Sequence, residues 1–226
     1  MLEHLKEEVL ICSQNAERSG LCKHRSGNFS VRDPESGLVC ITASGFDRMR
    51  MTERDIVVID IEGKVVEAET NLKPTSETLM HLAIYKARED VHAIAHTHST
   101  TATAFSVLNK PIPAIIYEMF MLNCKNGNTI PVAKYGRPGT KELADNVIAE
   151  LLTSDVALMQ QHGTIAVHQS SLDEAVLRCE YIEELARIYL TTLTILGPGK
   201  EPPVVPQSEL VKWAYPKDII LLDSQK

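Results

Sequence analysis

The sequence predicts an α/β fold with three α/β/α layers around a mostly antiparallel sheet. Strand-like and helix-like segments mix without the strict βαβ rhythm of a parallel sheet. Two strand-like runs flank Glu62 and Gly63, which predicts a β-hairpin early in the chain. No linker or repeat divides the 226 residues, of which 44% are hydrophobic, enough to build a core. We therefore expect one domain over residues 1–226, with a Pro-rich tail from about residue 197.

Before residue 70, the pattern predicts one helix followed by short strands. An apolar stripe from Leu2 to Ile11 at helical spacing indicates an amphipathic surface helix. A polar stretch at residues 25–30 then leads into Val31 and Arg32. The strands predicted here cover residues 38–42, 56–61 and 64–67.

A second helix is predicted from Pro74 to about Arg88. Thr75 or Ser76 is the expected N-cap, because a side-chain oxygen there can accept hydrogen bonds from the first free N–H groups. Glu77 then falls in the first turn, where a carboxylate complements the positive end of the helix dipole.

The rest of the chain is predicted to contain two further helices and several strands. One helix spans residues 139–152. The last helix begins at Ser171, because Ser171 and Glu174 match a capping box, and it ends at Gly197. The predicted strands cover residues 91–98, 112–117, 129–133, 156–160 and 164–167.

Composition excludes several classes of protein. The net charge is −7 and only 5% of residues are aromatic, which disfavours a nucleic-acid surface. No run approaches the roughly 18 apolar residues of a membrane span, and acidic residues occupy the N-terminal region where a signal peptide would be basic and then apolar. The five cysteines form no C-x-x-C pair and no disulfide framework. We expect a cytoplasmic protein with no nucleic-acid or membrane partner.

Three histidines form a candidate metal site. Side chains alternate along a strand, so His96 and His98 point to the same side and can share one ion. His162, at a break between two strands, supplies a candidate third ligand. Three neutral imidazoles with an open position are the ligand set of a catalytic zinc ion. The alternative is a set of packed core histidines, and His81, one helical turn after Glu77, could pack against or support that carboxylate.

Short polar loops could bind phosphate. Residues 27–30, residues 42–45 and the pair Thr75-Ser76 offer backbone N–H groups, hydroxyls and a helix N-terminus, which together suit an anion. Arg25 could add a charge-assisted contact. Each loop alone is also consistent with an ordinary turn or helix cap.

Several motifs, in this order, resemble the class II aldolase/adducin family. The resemblance extends over most of the chain, to about residue 196. The matching segments are SGNFSVR (26–32), ITASGF (41–46), PTSET (74–78), AIAHTHSTTATAFSVLNKPIPAI (93–115), LMQQHGTIAV (158–167) and YIEELARIYLTTL (181–193).

This resemblance implies a zinc-dependent lyase. The implied reaction cleaves a ketose 1-phosphate, with L-fuculose 1-phosphate expected first, to dihydroxyacetone phosphate and lactaldehyde. It also implies a homotetramer with active sites at subunit boundaries. The implied metal ligands are His96, His98, His162 and, without substrate, Glu77, which is also the base. The implied phosphate-binding residues are Gly27, Asn28, Ser44, Gly45, Thr75 and Ser76. The implied proton-transferring tyrosines at the aldehyde oxygen are Tyr117 and, in the C-terminal tail, Tyr215.

Three departures from the family pattern affect the substrate. Arg25 stands where a G-T-A-G-N loop has Thr, and Thr75 replaces the first Ser of S-S-E. The segment before Gly139-Thr140 has Arg137-Pro138 instead of an aromatic, which changes the pocket expected for the aldehyde fragment.

The rival functions are a sugar-phosphate dehydratase, a decarboxylase or a 4-epimerase of the same family. The epimerase usually has S-S-D where Glu77 stands here, which counts against it. A metal-free, adducin-like binding domain is the rival from a different class. The three histidines count against that rival.

Overall fold

The computed structural model describes residues 1–125 and 128–210, so Tyr215 lies outside the described residues. The α-helices are α1 (Glu3–Arg18), α2 (Thr78–Ala87), α3 (Thr100–Val107), α4 (Lys141–Leu151), α5 (Leu172–Leu196) and α6 (Gln207–Leu210). The first strands are β1 (Asn28–Arg32), β2 (Val39–Ile41), β3 (Val57–Ile59), β4 (Val65–Glu67) and β5 (Ala93–Thr97). The remaining strands are β6 (Ile112–Pro113), β7 (Thr129–Ile130), β8 (Val132–Ala133), β9 (Val156–Met159) and β10 (Gly163–His168).

The main sheet has eight strands in the order β4-β3-β2-β1-β5-β10-β9-β8. Every neighbouring pair is antiparallel except β8 and β9, which confirms the predicted sheet type. At its centre, β5 lies between β1 and β10, with His96 opposite Asn28 on one side and Ile165 on the other. The candidate ligands therefore lie at the middle of the sheet.

Helices cover both faces of this sheet, which confirms the three-layer fold. Val9 of α1, Phe105 of α3 and Cys179 of α5 share one buried cluster with Ala95 of β5. Ile84 of α2 and Val147 of α4 share the second cluster. Ile94 belongs to that second cluster, as the alternation of side chains along β5 requires.

Helix α1 is present, but the predicted stripe is wrong at its end. Ile11 is 46% exposed, whereas Leu5, Val9 and Cys12 are buried. The buried face continues to Ala16, because it follows the helical period from Leu5 and not the nearest apolar residues.

Strand β1 begins earlier than the polar sequence suggested. Asn28 and Ser30 are buried strand residues, and their side chains bond to residues of α2. Because long-range partners satisfy these polar groups, they do not mark a turn.

Helix α3 was not predicted at all. Its Thr- and Ala-rich sequence lacks an amphipathic period, and its N-terminus depends on a distant residue. The Glu183 carboxylate, on α5, accepts hydrogen bonds from the backbone N–H groups of Thr101 and Ala102. This contact anchors the chain directly after His98, so α5 helps to position the candidate ligand.

Helix α2 begins at Thr78, so the predicted N-cap at Thr75 or Ser76 is wrong. Glu77 is the N-cap residue, and its side chain makes no capping hydrogen bond. The turn before the helix is closed by the Thr78 N–H and hydroxyl, which both donate to the Thr75 carbonyl. The Glu77 carboxylate is therefore free to point toward the histidines.

Two other predicted strands are shorter than expected. Strand β6 covers only Ile112–Pro113, and Tyr117–Leu122 forms a 3₁₀ helix instead of continuing the strand. The run at residues 129–133 is divided at Pro131, which has no N–H for a sheet ladder. Its first part, β7, pairs with β6 in a separate sheet, and its second part, β8, joins the main sheet.

The described part of the tail packs against its own chain. Glu201 accepts hydrogen bonds from Lys110 and Tyr189, the Val205 N–H donates to the Ala114 carbonyl, and Leu210 is buried. Helices α4 and α5 agree with the prediction, whereas the short α6 in the tail was not predicted. Helix α4 has Thr140 as its N-cap, and Ser171 accepts a hydrogen bond from the Glu174 N–H at the start of α5. Among the described residues, no helix combines the length and apolar character needed to cross a membrane.

Candidate metal centre

Three histidine rings converge at one end of β5. The Nε2 atoms of His96 and His98 are 2.9 Å apart. The ring centroid of His162 lies 4.8 Å from that of His96 and 5.0 Å from that of His98. The structure therefore brings together the three residues that the sequence singled out, with one potential ligand nitrogen on each.

A glycine allows His162 to approach the other two rings. Gly163 follows it at the start of β10, and a Cβ atom there would lie 2.4 Å from the Thr97 carbonyl oxygen. Gln161, the residue before His162, has a positive φ of 56°, which turns the chain sharply between β9 and β10. The tight turn thus requires no side chain at residue 163.

Backbone contacts fix the other two histidines. The Nδ1–H group of His96 donates to the Thr164 carbonyl at 2.8 Å, which leaves the Nε2 lone pair facing the cluster. The His98 main-chain N–H donates to the Leu21 carbonyl, and Gly27 lies so close to β5 that a Cβ there would be 2.6 Å from the His96 carbonyl oxygen.

The Glu77 carboxylate completes the cluster. Oε2 lies 3.1 Å from His96 Nε2, and Oε1 lies 3.4 Å from His162 Nε2. The residue is only 5% exposed. Burial alone would raise the pKa of this carboxyl, but the facing His96, His162 and the Asn28 amide together hold that pKa well below its usual value. Glu77 is therefore an ionised carboxylate at neutral pH.

His98 and His162 are suited to act as neutral ligands. Burial, reinforced by the neighbouring His96, lowers the pKa of His98 to about 3 and that of His162 to about 4. For His96, burial opposes protonation, but the adjacent Glu77 carboxylate raises the pKa. This electrostatic arrangement places one carboxylate beside imidazoles that can offer lone pairs.

The residues present fit a divalent metal ion. Two imidazole nitrogens 2.9 Å apart, one with its proton fixed on the far ring nitrogen, suit a cation that both can coordinate. Glu77 Oε1 is buried and has no hydrogen-bond partner among the described residues. Three imidazoles and a carboxylate form a donor set that zinc readily accepts.

A second cluster of carboxylates does not offer the same fit. Glu3, Glu67 and Glu69 also lie within metal-ligand distance of one another. However, the buried Lys6 ammonium pairs with Glu67 and Glu69, and the N-terminal amine pairs with Glu3. The negative charge of this carboxylate cluster is thus already neutralised by the Lys6 ammonium and the N-terminal amine.

The loops predicted to bind phosphate are held side by side. The Ser44 N–H donates to the Lys73 carbonyl, and the Thr75 N–H donates to the Thr42 carbonyl. Ser44, Gly45 and Ser76 are exposed, whereas Thr75 is buried. The Arg25 guanidinium donates to the Gly45 carbonyl at 3.0 Å and so links the first loop to the second.

Arg48 is a supporting residue that sequence reasoning missed. This buried guanidinium donates to the carbonyls of Ser26 and Gly27 and pairs with Glu17. It fixes the loop in which Gly27 has a φ of +77°. Nothing near Arg48 in the sequence signals this role, because its partners lie more than 20 residues away.

Asn28 lies between the phosphate loops and the metal centre. Its side-chain Nδ2 donates to Glu77 Oε2 at 2.9 Å, and its Oδ1 faces His81 Nε2 at 2.5 Å. His81 thus supports Glu77, one of the two roles that the sequence allowed, but it does so through Asn28.

A family comparison agrees with this geometry. The model of the class II aldolase and adducin N-terminal domain matches residues 7–190, a span that includes all three histidines and Glu77. The chain belongs to the class II aldolase and adducin family. The predicted family is therefore confirmed, and the family places the chain among lyases.

Curated relatives of this class II aldolase act on different sugar phosphates. This chain is 39% identical over 194 residues to the L-fuculose phosphate aldolase of Escherichia coli O6:H1, and the match covers 86% of each chain. It is 34% identical over 214 residues to the 5-deoxy-D-ribulose 1-phosphate aldolase of Bacillus thuringiensis serovar kurstaki, covering 95% of each. A solved L-fuculose 1-phosphate aldolase has a TM-score of 0.84 at 36% identity, covering 92% of this chain and 93% of that one.

Tyr117 and Tyr215 are the two tyrosines that the family resemblance assigned to proton transfer. Tyr117 is 52% exposed at the start of its 3₁₀ helix, so its ring is not the buried strand aromatic that a longer strand would have produced. Tyr215 lies beyond residue 210, outside the described part of the chain. Their predicted roles in proton transfer stay predictions.

Proposed function

We propose that this chain is a zinc-dependent aldolase that cleaves a ketose 1-phosphate to dihydroxyacetone phosphate and an aldehyde. The convergence of three imidazoles on one buried carboxylate carries the proposal. L-Fuculose 1-phosphate, which would yield lactaldehyde, is the first candidate substrate.

In this proposal, His96, His98 and His162 hold the metal ion, and Glu77 is a further ligand when substrate is absent. When bound, zinc acts as a Lewis acid that stabilises negative charge developing on the substrate oxygens. The His96 Nδ1–H···O=C contact to Thr164 keeps one ligand in the required tautomer. Burial of His96 and Glu77 limits competition from water.

Glu77 acts as the base. Cleavage of the carbon–carbon bond leaves an electron pair on a carbon of the dihydroxyacetone phosphate fragment, and Glu77 exchanges a proton with that carbon. Glu77 is ionised in the free enzyme, so its carboxylate has a free position for a proton in the condensation direction. Tyr117 and Tyr215 are proposed to exchange a proton with the aldehyde oxygen.

The phosphate group is proposed to bind where the three polar loops meet. The proposed ligands are Gly27, Asn28, Ser44, Gly45, Thr75 and Ser76. Their hydroxyls, the Asn28 side-chain amide and those N–H groups that do not already donate to a carbonyl can surround an anion without a large net positive charge. The contact between Arg25 and Gly45 supports this placement, because it brings a guanidinium to the edge of that site.

Arg25 is expected to strengthen phosphate binding. The Arg25→Ala variant should raise KM about tenfold or more with little change in kcat, because a charge-assisted hydrogen bond contributes about 1.5–3 kcal/mol. Steady-state kinetics on the ketose 1-phosphate measure this change. Arg50→Ala, which removes another exposed arginine of the same region, is the control. Equal KM values for the two variants would remove Arg25 from the site.

The aldehyde product distinguishes the two candidate substrates. L-Fuculose 1-phosphate and 5-deoxy-D-ribulose 1-phosphate share the dihydroxyacetone phosphate half and differ by one CHOH group in the aldehyde half. A pocket that hydrogen-bonds this hydroxyl would reject the shorter aldehyde strongly, whereas an apolar pocket discriminates weakly. The 34% identity over 95% of each chain keeps the second substrate in consideration.

The test incubates the purified chain with dihydroxyacetone phosphate and a panel that includes lactaldehyde and acetaldehyde. Preferred condensation with lactaldehyde supports L-fuculose 1-phosphate, and preferred condensation with acetaldehyde supports the deoxyribulose substrate. No condensation with any aldehyde would overturn the aldolase proposal in favour of a dehydratase or decarboxylase.

The same panel of aldehydes, applied to Tyr117→Phe, tests the role of the Tyr117 hydroxyl. Unchanged turnover would exclude that hydroxyl from proton transfer.

We also propose that the enzyme is a cytoplasmic homotetramer with active sites at subunit boundaries. Exposed apolar side chains at the ends of α3 and α5, namely Val107, Leu108 and Ile195, support assembly. Free thiols on all five cysteines suit a reducing compartment. Light scattering should give four times the 25.1 kDa of one chain, and a monomeric mass would exclude the tetramer.

A further inference from the structure

A line of buried polar side chains leads from Glu77 into the protein interior. After the 2.9 Å contact between Asn28 and Glu77, His81 Nε2 lies 2.5 Å from Asn28 Oδ1. His81 Nδ1 lies 2.7 Å from the Ser30 hydroxyl, which is 2.8 Å from the Tyr85 hydroxyl. We call Asn28, His81, Ser30 and Tyr85 the buried relay; all four are buried.

The chemistry of the end groups fixes the direction of the hydrogen bonds. An ionised carboxylate only accepts, so the Asn28 atom that faces Glu77 must be the amide nitrogen. The Asn28 atom that faces His81 is then the carbonyl oxygen, so His81 Nε2 must carry a proton and donate. In the neutral ring, Nδ1 accepts from the Ser30 hydroxyl.

The fold explains why these residues meet. Asn28 and Ser30 are two residues apart on β1 and therefore point to the same face of the sheet. Glu77 and His81 are one helical turn apart at the start of α2, which packs on that face. Asn28 bonds to both Glu77 and His81. Ser30 also bonds to His81, so these contacts join β1 to the start of α2.

We propose that His81 is a positioning residue that fixes the orientation of the Asn28 amide and, through it, the Glu77 carboxylate. This inference rests on the proposed role of Glu77 as the base. Without the donor at Nε2, the amide loses one of the two contacts that distinguish its two orientations. A flipped amide would turn its carbonyl oxygen toward the carboxylate and replace an attraction with a repulsion.

Asn28 has a second amide hydrogen that the contact with Glu77 does not use. In the proposed function Asn28 is also a phosphate ligand, and that hydrogen is the one it would donate to the substrate phosphate. Fixing the amide thus serves the base and the phosphate site at the same time. The side-chain hydrogen bonds of His81 go to Asn28 and Ser30, so its imidazole reaches the Glu77 carboxylate through Asn28.

Two amide substitutions separate positioning from packing. In His81→Gln the amide nitrogen can take the place of Nε2 and still donate to Asn28. In His81→Asn the shorter side chain ends near the position of Nδ1 and cannot make that contact. Both variants remove the ring, and Asn leaves the larger gap, so a merely structural role would lower activity only in parallel with thermal stability.

We expect His81→Asn to lower kcat and the rate of proton exchange on dihydroxyacetone phosphate about tenfold or more, with metal content retained. His81→Gln should recover to within about threefold of the wild-type kcat. Equal losses in the two variants, in parallel with their thermal stabilities, would overturn the proposal.

A spectroscopic measurement tests the relay without relying on activity. Nitrogen-15 NMR of the histidine-labelled chain should show His81 as a neutral ring with its proton on Nε2. A proton on Nδ1, or a charged ring, would contradict the assigned direction of the relay. If the wild-type chain itself fails to exchange protons, the role of Glu77 fails, and the catalytic function of the relay fails with it. The NMR result would still decide the orientation of the Asn28 amide.

Discussion

The Glu77→Gln variant should fold and bind metal but lose most of its proton exchange on dihydroxyacetone phosphate. The amide is nearly the same size as the carboxylate, and three histidine ligands remain, so the site keeps its shape. The amide of the variant cannot accept a proton at neutral pH, whereas the wild-type carboxylate is ionised. General-base catalysis of this kind contributes roughly 10²–10⁴-fold, and we expect a loss of that order.

Transfer of a hydrogen isotope from labelled dihydroxyacetone phosphate to the solvent measures this exchange directly, without an aldehyde partner. Glu184→Gln, which changes an exposed carboxylate on α5, is the matched control and should exchange at the wild-type rate. Exchange by Glu77→Gln at a rate close to wild type would remove Glu77 from the role of base.

The second large effect is expected for His162→Asn, which should remove both bound metal and activity. His162 lies in the tight turn before β10 and is partly exposed, so its replacement leaves the core intact. The variant keeps two imidazole ligands instead of three. Changes to groups that only support a ligand cost about 10–100-fold in metal affinity, and loss of a ligand should cost more.

Metal analysis after gel filtration measures this effect, with circular dichroism to confirm the fold. His4→Asn, at an exposed position on α1, is the control and should retain the wild-type metal content. A full complement of metal in His162→Asn would show that the third ligand comes from elsewhere. If the wild-type chain also binds no metal, the adducin-like binding domain becomes the better account.

The central features of the site could be predicted from the sequence because local rules determine them. Strand alternation places His96 and His98 on one side, and the family motifs join them to His162 and Glu77. In the structure, the potential ligand atoms of the three histidines lie within 4.8 Å of one another. The Glu77 carboxylate contacts His96 and His162. The roles assigned to them are still tested only by the experiments above.

The start of α2 was misplaced because local propensity favoured the wrong residue. Thr75 and Ser76 are good N-caps, but the Thr75 N–H pairs with Thr42, which holds this segment in the neighbouring loop. The helix therefore starts later, and Glu77 becomes available to the histidines instead of to the helix N-terminus. Here a long-range contact outweighs a capping preference of about 1 kcal/mol.

The supporting contacts could not be predicted, because they join residues far apart in the chain. Asn28 meets His81 and Arg48 meets Gly27 only after β1, β5 and α2 have packed together. Helix α3 was missed for a similar reason, since Glu183, more than 80 residues away, accepts the N–H groups at its first turn. The sequence pattern of a single helix or strand does not indicate such distant partners.

The most direct measurement of the central claim compares proton exchange on dihydroxyacetone phosphate before and after metal removal. Chelation of the wild-type chain should abolish exchange, and one equivalent of zinc per chain should restore it. His162→Asn should not recover under the same treatment. Undiminished exchange by the metal-free wild-type chain would contradict the account, because the three histidines would then have no part in the chemistry.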